Sequence, residues 1–212
     1  MPVIKAVIFD LDGVVTSTDK FHYLAWKRLF DELGIKFTPE DNEKIKGVGR
    51  RESFDLIAGS GFPEKSIPEY LNKKNNYYCE LLAANELYPL PGISELLNAL
   101  DFGGIKKAIA SGSRNARLIL DNLHMVDRFD VIVDGTMCQK SKPAPDIFLL
   151  AARMLSVSPC SCAVIEDSQV GIEAAAKAGM KSIGIGSLLE GADILLSSTS
   201  ELWIETVLQK TS

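Results

Sequence analysis

The sequence predicts an α/β fold: a parallel sheet flanked by helices, with an all-helical unit inserted after the first strand. Three observations carry this. From residue 88 onward, short apolar runs bounded by turn residues alternate with helix-period segments, as strands joined by right-handed helical crossovers do. The first such run, Val3 to Gly13, stands alone at the other end of the chain, and from 14 to 87 helical patterns follow one another with no strand between them. At 212 residues the chain is long for one domain and short for two equal ones, which suits a core carrying an insert. The expected division is 1–16 with 88–212 as the core and 17–87 as the insert.

Composition narrows the class. A content of 46% hydrophobic and 24% charged residues describes an ordinary globular protein. The net charge of −5 argues against nucleic acid or an anionic membrane as partner, because both need clustered Lys and Arg. No segment approaches the roughly 18 apolar residues of a membrane helix, and the first residues form a strand, not a cleavable leader. Cys79, Cys138, Cys160 and Cys162 have neither zinc nor disulfide-framework spacing and read as reduced thiols. A cytoplasmic monomer acting on small molecules is the expectation.

In order along the chain, Val3–Phe9 is apolar and β-branched apart from Lys5, the signature of a strand buried on both faces. It ends in Asp10-Leu11-Asp12-Gly13. Thr18 or Asp19 caps a helix that Gly34 ends, with Trp26, Leu29, Phe30 and Leu33 on its buried stripe and His22 one turn earlier. Thr38-Pro39 opens a second helix, interrupted by Lys46-Gly47-Val48-Gly49-Arg50. Arg51–Ile57 and Ile67–Ala84 read as two more.

Leu90-Pro91-Gly92 returns the chain to the alternating pattern. Helices are expected over Ile93–Leu100, Arg114–Leu123, Ile147–Leu155 and Val170–Ala178, and from near Ser200. Strands are expected at Lys107–Ala110, Asp130–Val133, Cys162–Ile165 and Ser182–Ile185, five in all with the first. Gly184-x-Gly186 lacks the third glycine of a dinucleotide fingerprint and reads as a turn, and no Gly-Lys-Ser/Thr phosphate loop is present.

Reactive residues recur just after strands: Asp10 and Asp12, then Ser111, then Glu166 and Asp167. In a parallel sheet all strand carboxyl ends share one edge, where ligands bind. Lys142 lies in a loop beginning at that edge. Singly, these are an Asp-rich turn, a turn hydroxyl and a solvated lysine. Together they form a site in which Asp10 and Asp167 hold Mg²⁺ while Lys142 and Ser111 grip anionic oxygens. That suits phosphoryl transfer, with Asp10 as nucleophile and Asp12 as general acid and base.

Phe9-Asp10-Leu11-Asp12-Gly13-Val14, Ser111-Gly112-Ser113, Lys142-Pro143 and Glu166-Asp167-Ser168 resemble, in order, the four motifs of the haloacid dehalogenase-like superfamily. The resemblance implies a Rossmann-like core, a helical cap inserted after the first motif, and an aspartyl-phosphate intermediate. It also implies a Mg²⁺ ion held by Asp10, Glu166, Asp167 and the backbone carbonyl of Asp12.

Within that superfamily, the chain is similar to mutases that interconvert β-glucose 1-phosphate and glucose 6-phosphate through glucose 1,6-bisphosphate. Thr18, His22, Trp26, the Lys46–Arg50 segment, Ser53 and Lys73-Lys74-Asn75 carry this in the insert, with Ser113-Arg114-Asn115 and Ser141–Phe148 in the core. The implied substrate contacts are Thr18, His22, Trp26, Gly47, Val48, Arg50, Ser53 and Lys74, together with Ser113, Arg114 and Asn115. Arg50 offers a planar fork to a second phosphate, and the glycines beside it admit backbone N–H groups. Two residues depart from the pattern: Gly49 stands where Ser is usual, and Ser17 where Asp is common. A sugar-phosphate phosphatase shares most of these motifs and is the alternative, and a silent phosphate-binding scaffold is a third reading.

Overall fold

The computed structural model describes residues 3–45 and 48–209. The chain separates into two compact units, one running to Ser17 and resuming at Leu87, the other spanning Thr18–Glu86.

In the first unit, β1 (Ala6–Phe9), β2 (Lys106–Ala110), β3 (Val131–Val133), β4 (Cys162–Glu166), β5 (Lys181–Ile185) and β6 (Ile194–Leu196) form a parallel sheet in the order β3-β2-β1-β4-β5-β6. This is the Rossmann strand order, and its reversal of direction falls at β1. β1 lies between β2 and β4, with Phe9 in register with Ile109 and Ile165, so three strand ends meet there.

Burial explains why these segments are strands. Every residue of β1 and β4 is buried, as strands covered on both faces require. One face presents Ala6, Ile8, Ala108, Ala110 and Val164 to Ile147, Phe148, Ala151 and Leu155 of a helix over Asp146–Leu155. Small strand residues let that helix approach closely.

The second unit holds α1 (Asp19–Glu32), α2 (Pro39–Ile45), α3 (Arg50–Ala58) and α4 (Ile67–Ala83), and no strand appears among its described residues. Its core is aromatic: Trp26 stacks on Phe30 at 5.2 Å, Phe30 on Phe54 at 5.9 Å, and Phe54 on Tyr70 at 5.9 Å. At the start of α2, Thr38 Oγ accepts the Asp41 N–H while Asp41 Oδ2 accepts the Thr38 N–H, a reciprocal cap with Pro39 in the first turn.

Three expectations need correction. A sixth strand, β6, extends the sheet; its three residues are half-buried or exposed, so no apolar run marks it. Reciprocal hydrogen bonds between Asp193 and Ser182 fasten its start to β5. The helix expected from Arg114 begins at Ala116, because residues 113–115 form a turn in which Ser113 Oγ accepts the Asn115 N–H. Near Ser200 the chain makes one 3₁₀ turn, Thr199–Glu201, before a short helix at Ile204–Leu208. Among the described residues, no helix is long and apolar enough to cross a membrane.

Candidate active site

Asp10 follows the last residue of β1, its N–H donating to Ile165 O at 2.9 Å. Its carboxylate is almost wholly buried, yet both oxygens have partners. Oδ2 accepts the Asp12 N–H at 3.0 Å, and Oδ1 accepts Lys142 Nζ at 2.5 Å. Burial is the largest influence on this carboxyl, and with help from Glu166 it outweighs Lys142, pushing the group up to about 7.

Lys142 is held on three sides. Its ammonium donates to Asp10, to Glu166 Oε2 at 2.6 Å and to the Ala110 carbonyl at 3.3 Å, with the Phe148 ring centroid 4.8 Å away. Burial works against its charge, but the two carboxylates prevail and hold it above the ordinary lysine range. The Ala110 contact also ties Lys142 to the residue before Ser111.

Asp12 and Gly13 turn the chain sharply. Gly13 has φ +84° and donates to the Thr16 carbonyl at 2.7 Å. A Cβ there would fall 1.9 Å from Asp167 Oδ2, so only glycine leaves room for that carboxylate. Asp10, Glu166 and Asp167 each offer an oxygen, all within 4.8 Å of one another. Three carboxylate oxygens so close together form a donor set that fits a hard divalent cation.

Ser111 is buried at the end of β2, and its Oγ accepts the Ser113 N–H at 3.2 Å. Gly135 backs this turn so closely that a Cβ on it would lie 2.0 Å from Gly112 O. Arg114 is exposed, and Ser113 and Asn115 are half-buried.

Within the helical unit a second polar cluster forms. The buried Lys74 Nζ lies 2.7 Å from His22 Nδ1, and 5.0 Å and 5.1 Å from the Trp26 and Tyr78 ring centroids. An ammonium can only donate, so His22 Nδ1 accepts and the ring proton is assigned to Nε2. His22 stacks on Tyr78 at 4.2 Å, and the Tyr78 hydroxyl pairs with Thr18 Oγ at 2.8 Å. Thr18, His22, Trp26 and Lys74 thus converge, with Trp26 also part of the aromatic core.

Val48 precedes α3 and Arg50 opens it. Ser53 is buried on its first turn, donating to Gly49 O at 2.9 Å. The expectation for Gly47 lies outside the described residues.

Sequence reasoning quoted Ser168 within its motif without a role and passed over Gly171, and both are neighbours of Glu166. Ser168 Oγ donates to Glu166 Oε1 at 2.8 Å, and Gly171 packs its bare Cα against the Glu166 side chain. A glycine inside a helix was the available signal, since that position disfavours it.

Residues 4–179 match the model of the haloacid dehalogenase-like hydrolase family. The chain is 44% identical over 211 residues to β-phosphoglucomutase of Bacillus subtilis, covering 95% of this chain and 92% of that one. It is 33% identical over 199 residues to a phosphorylated carbohydrates phosphatase of Thermotoga maritima, covering 90% of each. A crystal structure of β-phosphoglucomutase from Clostridium difficile superposes with a TM-score of 0.91 at 39% identity, covering 96% of this chain and 95% of that one. Acidic residues at the sheet edge, the lysine between them and these likenesses agree: the chain belongs to the haloacid dehalogenase-like hydrolase family.

Proposed function

We propose that this chain is a β-phosphoglucomutase, an isomerase that interconverts β-D-glucose 1-phosphate and glucose 6-phosphate through a phosphorylated Asp10 and glucose 1,6-bisphosphate. The 44% identity to the Bacillus subtilis enzyme, over nearly all of both chains, carries the choice of reaction. The geometry around Asp10 supports the chemistry.

In the first half-reaction an Asp10 carboxylate oxygen bonds to phosphorus as the bond from phosphorus to the sugar oxygen breaks. Asp12 gives that leaving oxygen a proton, and later takes the proton from the hydroxyl that receives the phosphoryl group. Lys142 and Ser111 contact the equatorial phosphoryl oxygens, where charge spreads in the transition state. Mg²⁺, held when bound by Asp10, Glu166, Asp167 and the Asp12 carbonyl, supplies further positive charge to those oxygens.

A mutase also has to hold the phosphate that is not reacting. We assign that grip to Arg50 and the Val48 N–H, and take Ser53, Ser113, Arg114 and Asn115 as further substrate contacts. Gly47 joins them on the resemblance alone. Thr18, His22, Trp26 and Lys74 complete the substrate contacts, with His22 Nε2–H as a donor. The likeness to the Thermotoga maritima phosphatase favours hydrolysis as the second reading.

The deciding assay supplies β-glucose 1-phosphate, a trace of the 1,6-bisphosphate and Mg²⁺. Glucose 6-phosphate accumulating without free phosphate is the expected result; rapid phosphate release from many sugar phosphates would replace the mutase with the phosphatase.

A further inference from the structure

Glu166, the last residue of β4, is 1% exposed, and both its carboxylate oxygens are engaged. Oε1 accepts the Ser168 hydroxyl at 2.8 Å and the backbone N–H groups of Asp167 and Ser168, each at 3.2 Å. Oε2 accepts Lys142 Nζ at 2.6 Å, and the same ammonium donates to Asp10 Oδ1 at 2.5 Å. Where the lysine sits is therefore decided by how the glutamate is turned.

Two residues at the start of the helix over Gln169–Lys177 decide that turn. Ser168 Oγ donates to Glu166 and accepts the Gly171 N–H at 3.2 Å, so one hydroxyl couples the helix cap to the carboxylate. Gly171 provides the space. A Cβ built on it would lie 2.0 Å from Glu166 Cδ, 2.2 Å from Oε2 and 2.3 Å from Cγ. The carboxylate cannot yield without surrendering its hydrogen bonds in a dry site. Gly171 has no left-handed backbone to explain it, and alanine is the better helix residue. The room it leaves for Glu166 accounts for it.

We infer that Gly171 and Ser168 are positioning residues for phosphoryl transfer: they fix Glu166 so that it aims the Lys142 ammonium at Asp10. This rests on Asp10 being the nucleophile of the proposed reaction. Neither residue touches the substrate, so their effect falls on turnover and not on binding.

The test compares Gly171→Ala, Ser168→Ala and Ser168→Thr with wild type in the full chain with Mg²⁺. Displacing a catalytic group by about an ångström costs on the order of 100-fold, so Gly171→Ala should lower kcat by about that factor. Its KM for β-glucose 1-phosphate should move less than about threefold, while its Tm should fall, because the displaced carboxylate gives up hydrogen bonds in a buried site. Ser168→Ala should lower kcat about tenfold, and Ser168→Thr, which keeps the hydroxyl, should restore most of it. Retention of kcat in Gly171→Ala would overturn the inference, as would equal activities of the two Ser168 variants. Should Gly171→Ala fail to fold, the Ser168 pair decides alone. If the wild type releases phosphate instead of isomerising, the mutase reading fails by itself, and the same ratios are then read on phosphate release.

Discussion

The Lys142 ammonium and the Glu166 carboxylate stand 2.6 Å apart with side chains 8% and 1% exposed, so neither charge has water to fall back on. Removing the lysine strands Glu166 and Asp10 together in a dry site. Lys142→Ala should lose about 3–5 kcal/mol of stability, as the breaking of a buried ion pair does, and turnover with it. Urea unfolding at neutral pH measures the loss.

Asp10→Asn keeps the shape of the nucleophile and removes its charge. Turnover should fall by roughly 10⁴-fold or more, with no phosphorylated protein trapped from the bisphosphate. Intact mass after rapid quenching reads the adduct directly.

Because the Asp10 carboxyl is pushed up to about 7 by burial, the metal-free protein carries a proton there that the unfolded chain, near 3.8, does not. That contribution to stability is present below the unfolded value and is lost as pH rises through about 7. A cation needs the ionised form, so Mg²⁺ affinity should move the opposite way, gaining about tenfold from pH 6 to pH 8 and levelling above. Calorimetric titration of Mg²⁺ across that range checks it; a flat profile would contradict the assignment.

Gly13→Ala drives a methyl group into Asp167 Oδ2 and forces an L-residue into φ +84°. The backbone alone should cost about 1–2 kcal/mol. Moving Asp167 should weaken Mg²⁺ binding by about 10–100-fold, measured by titration and compared with the denaturation midpoint.

Arg50→Ala removes the fork assigned to the second phosphate. The Kd for glucose 1,6-bisphosphate should rise by roughly 10–100-fold, the loss of a charged hydrogen-bonding partner, while phosphorylation of Asp10 by a small phosphoryl donor is unaffected. Unchanged bisphosphate affinity would remove Arg50 from the site.

Much of the core site was legible because chemistry sits where apolar runs stop. Asp10, Ser111 and Glu166 each end or follow a strand that its own residues announce, and parallel strands bring such ends to one edge. What escaped depends on fit between segments. Gly171 and Glu166 are five residues apart, but their contact exists only once β4 turns into the following helix. Gly135 meets Gly112 across two loops. β6 has too little apolar surface to register as a period. In α1 the stripe through His22 and Trp26 reads as one apolar face, whereas the fold sets the buried Lys74 ammonium beside both, with Trp26 also stacked on Phe30.

The helical unit closes its own stack of rings, from Trp26 through Phe30 and Phe54 to Tyr70. Its aromatic packing is made within residues 18–86, whereas the acids and the lysine at the sheet edge belong to the other unit. Divergence of sugar preference among kindred enzymes should therefore accumulate in residues 18–86, leaving the phosphoryl chemistry of the other unit as the inherited constant.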